Sequence, residues 1–370
     1  MLARLSGVGL ADGETLRKYW QTTPVFLAQA LDPAPLTPDT ETLLEILNET
    51  ELPARLITGN TDTGFTLAHG PFEPFKAPKT GSWTVLIQAL EHLFPEYDAL
   101  RASMTWLPAW RFEDVMLSWA SVGGSVGPHY DHFSVFLVQL QGRRRWDIGP
   151  HATPETPLVP ESPLRLVNTQ PTETLIAEPG DVLYLPPGVI HHGVAVDADC
   201  LTLSIGFRAP DVGALLESLV EQVDDGVAWI RFDDRARHTT GPSAAITADD
   251  IARTRALLLD YLDQPGVLDR VLATRVTEPY LEQDPELLAQ DSALAAVTTW
   301  RLDAGTRMAY TEAGFAIQGV WCDTPPSEAL KELADTRMLT GARTDALSTT
   351  ERNGLIVWIQ AGWVVNGDLD

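Results

Sequence analysis

Two stretches of this sequence combine residue types and spacings that do chemistry: Gly127-Pro128-His129-Tyr130-Asp131 and Pro186-Pro187-Gly188-Val189-Ile190-His191. In an extended strand alternate side chains share a face, so His129 and Asp131 project one way and Tyr130 the other. A second imidazole from a distant strand completes a set of two histidines and one carboxylate. That set holds Fe(II) on one face of an octahedron and leaves the opposite face open. His-x-Asp alone is a weak signal, because a histidine and an aspartate near a turn are more often hydrogen-bonded structure. The second stretch strengthens it. There Pro179-Gly180-Asp181, a strand, Pro-Pro-Gly and then His follow one another. Proline and glycine there punctuate the turns at the barrel mouth, where ligands from two strands converge.

Parity sorts the remaining histidines. Neighbouring strand residues face opposite ways, so only one of His191 and His192 enters the barrel, and the spacing from Pro-Pro-Gly favours His191. His132 fails the same test against His129 and Asp131. His69, His92, His151 and His238 read as surface or core residues. The open face of the metal accommodates a 2-oxo acid chelating through two oxygens, with one position left for O2. The second carboxylate of such an acid needs a cation inside the barrel. Arg144 is the candidate, because it shares a face with Trp146 while Arg143 and Arg145 face away. On the residues alone, a solvated edge strand remains the alternative for this arginine run.

The elements that must position these groups are short strands between Gly/Pro turns, expected at 115–120, 133–140, 143–148, 174–177, 182–185, from 191 onward, and at 201–207. That pattern indicates a barrel or sandwich. Ahead of it the spacing predicts a helix from 13 that breaks at Pro24, a strand from 24, a helix over 40–47 capped by Thr40, short β runs at 54–57 and 64–67, and a helix over 83–93. After 211 the pattern turns helical, with Val212, Leu215, Leu216, Leu219, Val220 and Val223 on one stripe. Residues 233–245 read as a polar loop. Thr247 caps a helix carrying Ile251, Leu257, Leu258, Tyr261 and Leu262, which Pro265-Gly266 ends. Beyond about 279 a mixed region follows: a hairpin over 307–317, helices over 327–333 and 349–358, and a last strand near 362–365. Two amphipathic stripes after a barrel with its own core need a further surface to bury against, so a homodimer through 211–279 is expected.

Composition narrows the class. The 370 residues suffice for two or three domains, and 44% hydrophobic with 21% charged residues is ordinary for a soluble globular chain. The net charge of −25 repels nucleic acid and favours basic partners. From residue 281 onward, six basic residues stand against fourteen acidic ones, so direct DNA binding there is not expected. Cys200 and Cys322 form neither a disulfide framework nor a zinc spacing, which points to a reducing cytoplasm. The N-terminus does not read as a signal peptide, and the apolar run over 354–365 is too short for a membrane span.

Gly127-Pro128-His129-Tyr130-Asp131, Gly142-Arg143-Arg144-Arg145-Trp146, the Pro-Pro-Gly segment and Ile205-Gly206-Phe207-Arg208-Ala209-Pro210 together resemble the JmjC-type ribosomal oxygenases. The similarity is nearest to the bacterial branch, which hydroxylates an arginine of large-subunit ribosomal protein L sixteen. Tyr19-Trp20-Gln21 and Pro24 resemble that family's N-terminal segment. The resemblance implies an α+β chain: a double-stranded β-helix (cupin/JmjC) barrel over 1–210, a helical dimerisation region over 211–279 and a winged-helix-like domain over 280–370. It implies His129, Asp131 and His191 as iron ligands, with 2-oxoglutarate and O2 as co-substrates and Arg144 as the carboxylate partner. Ser118, Thr202 and Ser204, on flanking strands, are candidates for hydrogen bonding the co-substrate or, equally, for packing. An acidic residue is expected where His192 stands. The implied substrate is a basic ribosomal protein. Two rival functions remain: demethylation of methylated basic residues, and a non-catalytic metal-binding scaffold.

Overall fold

The glycine and proline punctuation separates strands that alternate between two sheets. The computed structural model describes all residues except 161, 163, 165, 169, 224–229, 236–243, 282–297 and 369–370, and divides into units Met1–Ala209 and Pro210–Asp370. The first unit contains β1 (Ala3–Ser6), β2 (Val25–Ala28), β3 (Ala54–Asn60), β4 (Gly64–His69), β5 (Trp83–Ile87), β6 (Phe112–Ala120), β7 (Ser134–Gln141), β8 (Arg144–His151), β9 (Glu173–Ala177), β10 (Val182–Leu185), β11 (Val189–Ala195) and β12 (Cys200–Phe207). Its helices are α1 (Gly13–Leu16), α2 (Thr40–Glu49) and α3 (Pro95–Ser103). The large sheet runs β1-β2-β10-β7-β12-β6-β5-β3-β4 and the small sheet β11-β8-β9. Isolated bridges Ser125↔Val194 and His129↔His191 add residues 125–129 to the β11 edge. From β6 onward the chain crosses between sheets repeatedly: β6 large, 125–129 small, β7 large, β8 and β9 small, β10 large, β11 small, β12 large. That winding is a double-stranded β-helix.

The long apolar run of β7 follows from this placement. Val135 and Leu137 pack with Leu183, Trp146, Ile148 and Leu175 in one core, while Phe136, Val138 and Leu140 join a second core on the other face of the large sheet. A strand covered on both faces has no polar side to alternate with. Each such side chain, fully buried, contributes about 1.5–3 kcal/mol.

The same physics overturns one expectation. Residues 83–93 are not a helix: Trp83–Ile87 form β5, buried at every position between β3 and β6, and Leu90–His92 make a single 3-10 turn. A continuous apolar run fits helical spacing as readily as a doubly covered strand, and the β-rich Trp-Thr-Val-Leu-Ile composition with two strand partners decides it. The first helix stops at Leu16, and Asp39, not Thr40, caps α2 by accepting from the Thr42 N–H at 2.8 Å.

The second unit contains α4 (Val212–Glu221), α5 (Ala248–Leu262), α6 (Val267–Thr277), β13 (Thr299–Leu302), β14 (Met308–Tyr310), β15 (Phe315–Ile317), β16 (Val320–Cys322), α7 (Glu328–Thr336), β17 (Met338–Thr340), α8 (Gly341–Thr344), α9 (Thr349–Gln360) and β18 (Val364–Asn366). Two small sheets, β17-β13-β18 and β14-β15-β16, share a core with α7 and α9 built on Trp300, Phe315, Leu333 and Trp358. Thr247 caps α5 in a reciprocal box with Asp250, as its position before the apolar run predicts. Gly266 does not end the helical region. In the left-handed conformation, φ +81°, it turns the chain directly into α6, which the sequence pattern did not suggest and which packs on α4 and β15. His238 and most of the expected loop at 233–245 lie outside the described residues.

Candidate metal centre

Residue 129 sits on the bridged edge of the small sheet and residue 191 on β11, directly opposite. His129 N–H donates to His191 C=O at 3.0 Å, and His191 N–H donates to His129 C=O at 2.8 Å. The Pro-Pro-Gly turn closes on the same segment, because Gly188 N–H donates to Asp131 C=O at 2.7 Å. Three main-chain hydrogen bonds thus hold the two sequence motifs together.

The side chains converge. One ligand atom from each of His129, Asp131 and His191 lies within 4.8 Å of the other two, the only such group among the described residues. Nε2 of His191 is 3.6 Å and Nε2 of His129 is 3.9 Å from Asp131 Oδ2. Each imidazole is fixed from behind: His129 Nδ1 meets Gly127 C=O and His191 Nδ1 meets Val189 C=O, both at 2.9 Å. A carbonyl only accepts, so both Nδ1 atoms carry a proton, and both Nε2 atoms face Asp131. Burial pushes the His191 imidazolium down to about 4, which keeps that ring neutral. Two imidazoles fixed through Nδ1 and a carboxylate, already oriented, suit a divalent transition metal.

Deeper in the barrel lies Arg144. On β8 the residue opposite His191 is Ile148, and Arg144 is opposite Ala195. Four residues of strand, about 13 Å, separate those levels, a span that an arginine side chain and an extended diacid fill together. Arg144 is 3% exposed. Its Nε donates to Thr202 Oγ1 at 2.8 Å and Nη2 to Ser118 Oγ at 3.1 Å. Burial lowers its pKa, with Cys200 opposing, and no acid pairs with it among the described residues. A buried guanidinium whose partners are neutral hydroxyls favours an incoming anion. Arg143 and Arg145 face outward and pair with Asp197 and Asp147.

Ser204 is buried on the same face of β12 as Thr202, one step nearer the mouth. His192 faces outward, its Nε2 2.9 Å from Ser125 Oγ. His132 is exposed against Tyr130; His69 and His151 are exposed and His92 is half-buried. Two polar residues not singled out from the sequence belong to the barrel interior. Gln139 accepts from Thr202 Oγ1 at 2.9 Å and donates to the Gln141 and Gly142 carbonyls, so it sets the hydroxyl that receives Arg144. Its signal was present: it is the polar interruption of an apolar strand. Asp114 shares the inner face of β6 with Met116 and Ser118, is buried, accepts from Gln88 Nε2 at 3.5 Å and lies beside Gly206.

The chain is similar to several known proteins. A family model described as JmjC domain matches residues 99–215. A probable ribosomal oxygenase of Haemophilus influenzae is 29% identical over 95% of this chain and 95% of its own length. The ribosomal protein uL16 3-hydroxylase of Escherichia coli is 31% identical over 68% of this chain and 67% of that protein. An X-ray structure of E. coli ycfD matches with a TM-score of 0.83 at 27% identity, covering 96% of this chain and 97% of that one. A structure of the E. coli ribosomal oxygenase YcfD in complex with cobalt and 2-oxoglutarate matches at 0.79 and 26% identity, covering 95% and 97%.

Proposed function

The chain belongs to the JmjC-domain ribosomal oxygenases, and on that premise we propose that it hydroxylates an arginine side chain of a uL16-type large-subunit ribosomal protein, using Fe(II), 2-oxoglutarate and O2. The observation that carries the reading is the pairing of a pre-oriented His129–Asp131–His191 cluster with a buried guanidinium one ligand-length away.

In this reading His129, Asp131 and His191 hold the metal through Nε2, a carboxylate oxygen and Nε2. A metal bound there would supply the redox chemistry by which O2 and 2-oxoglutarate yield succinate, CO2 and one hydroxylated carbon. Arg144 receives the distal carboxylate of the co-substrate, with Ser118 and Thr202 fixing the plane of the guanidinium. Ser204 lies beside the path between the two ends. Asp114, buried on β6 with Gln88 Nε2 3.5 Å from its Oδ2, is the acidic residue to which this reading assigns the substrate guanidinium. The net charge of −25 favours a basic ribosomal protein as substrate and disfavours DNA.

We further propose that the protein is a cytoplasmic homodimer, with 211–279 as its pairing region and 280–370 as a winged-helix-like domain. Val212, Leu216 and Val220 recur on one stripe of α4 at 73%, 55% and 71% exposure, and Ile251 and Leu258 are exposed on α5. Apolar rows of that kind call for a partner surface. Light scattering at micromolar concentration should give twice the chain mass; a monomer rejects the dimer. No helix is long and apolar enough to cross a membrane among the described residues.

The activity is tested by incubating ribosomal proteins with the enzyme, Fe(II) and 2-oxoglutarate. Mass spectrometry should find one added oxygen on an arginine-containing peptide of the uL16-type protein. Release of formaldehyde with loss of a methyl group would identify a demethylase instead. Metal binding without 2-oxoglutarate turnover would identify a scaffold.

A further inference from the structure

We propose that Ser125 and His192 are positioning residues of the metal centre, locking the backbone bulge that turns His129 inward. The inference rests on the metal site proposed above. Residues 125–129 pair with β11 through the bridges Ser125↔Val194 and His129↔His191, so between them this segment advances four residues while β11 advances three. One extra residue against a partner strand is a β-bulge. Gly127, at φ +79°, lies within it, and a Cβ there would meet Leu166 Cδ2 at 2.5 Å.

The bulge inverts side-chain parity. Ser125 points to the outer face of the small sheet, where it meets His192. Strict alternation would place residue 129, four positions on, on that same outer face. Instead the His129 ring stands beside His191, with centroids 4.3 Å apart. The inward aim of a metal ligand therefore depends on the bulge.

A bulged residue is left out of the cross-strand ladder. Here the Gly127 N–H donates to Ser125 Oγ at 2.9 Å, while the Gly127 C=O accepts from His129 Nδ1 at 2.9 Å. Both polar groups of the bulge glycine are engaged, one by the serine and one by the metal ligand. The serine is itself held. His192 Nε2 is 2.9 Å from Ser125 Oγ, and His192 Nδ1 is 3.9 Å from Asp147 Oδ2. Asp147 is fixed by Thr174 Oγ1 at 2.7 Å and by Arg145 at 3.2 Å. With its Nδ1 proton toward Asp147, His192 accepts the Ser125 O–H, which leaves the serine oxygen to receive Gly127 N–H.

Carboxylate, imidazole and hydroxyl in this order also describe a hydrolytic triad. That reading fails here. Ser125 is 2% exposed and its oxygen is committed to Gly127, so no substrate carbonyl reaches it. The relay ends on a metal ligand.

The test is Co(II) titration of the metal-free protein, followed by visible absorption, with thermal melting alongside. Supporting interactions behind a ligand change metal affinity by about ten- to a hundredfold. Ser125→Ala and His192→Ala should each weaken Co(II) binding by about tenfold. His192→Gln, which keeps a hydrogen-bonding group, should recover part of the loss. Ser134→Ala removes an equally buried hydroxyl that bonds Tyr184, far from this relay in the hydrogen-bond network, and should leave Co(II) affinity unchanged. Wild-type Co(II) affinity in His192→Ala overturns the inference, even where Ser125→Ala does not fold. Failure of the wild-type protein to bind Co(II), or undiminished binding by His129→Ala, overturns the metal-site reading beneath it.

Discussion

The two ends of the barrel interior are built by different means. At the mouth, His129, Asp131 and His191 are aligned by main-chain hydrogen bonds: a reciprocal pair between the histidines, Gly188 on Asp131, and carbonyls behind each imidazole. At the deep end, Arg144 is aligned by side chains from three strands of the opposite sheet: Ser118 on β6, Thr202 on β12 and, behind it, Gln139 on β7. Main-chain alignment survives most substitutions nearby, but each of the three proposed ligands is irreplaceable in that reading, because no other described residue offers its atom there. Side-chain alignment is shared, so its members differ in importance and the deep end should fail by degrees.

The largest expected effect lies at the mouth. His129→Ala or Asp131→Ala should reduce turnover to the detection limit, while the thermal unfolding midpoint changes little, because neither side chain belongs to an apolar core. Metal affinity and turnover measured together check this. Full activity in either variant, or metal held through His192 or His132, would break the distinction at its stronger end.

Arg144→Ala should come next. Hydrogen bonds to charged groups contribute about 1.5–3 kcal/mol each, and a guanidinium meets a carboxylate with two. The apparent 2-oxoglutarate requirement should therefore rise by well over about tenfold, while metal affinity persists because no ligand is touched. Arg144→Lys keeps the charge but loses the fork, and should retain partial activity. Gln139→Leu should raise the requirement by less than Arg144→Ala and lower stability by about 1–3 kcal/mol, since it strands buried polar partners. Titration of 2-oxoglutarate across the three variants gives the order; a Gln139→Leu effect exceeding that of Arg144→Ala would mean that the scaffold, not the charge, dominates.

The two ends also differ in how far the sequence discloses them. The mouth is encoded locally: His-x-Asp and Pro-Pro-Gly-x-x-His are short, and proline and glycine mark their turns. What those motifs omit is the bulge at Gly127, because a one-residue register shift exists only between two strands. The deep end is encoded across the sheet. Ser118, Thr202 and Gln139 lie side by side through the pairings Thr202↔Ser118 and Thr202↔Gln139, yet are far apart in sequence. Ser118 and Thr202 were legible as polar positions on flanking strands; the role of Gln139 needed the register. β5 was misread because a strand buried on both faces has no period of its own. α6 was missed because Gly266, a common helix terminator, here turns one helix into the next.

The smallest expected effect sharpens the comparison most, because it separates three adjacent arginines. Arg143, just before β8, and Arg145, on it, flank Arg144 and carry the same charge, so a purely electrostatic attraction of the diacid would draw on all three. Geometry says otherwise. Arg143 donates to both oxygens of Asp197, at 2.9 and 3.0 Å, and Arg145 lies 3.2 Å from Asp147. Both are solvent-exposed on the outer face, where water screens their field and ion pairs contribute little. Arg144 alone is buried, against hydroxyls. Arg143→Ala and Arg145→Ala should therefore leave the 2-oxoglutarate requirement within about twofold of wild type at physiological salt. If Arg143→Ala instead raises that requirement as far as Arg144→Ala does, the interior face of β8 has been assigned to the wrong residues and the deep end must be rebuilt around the exposed arginine.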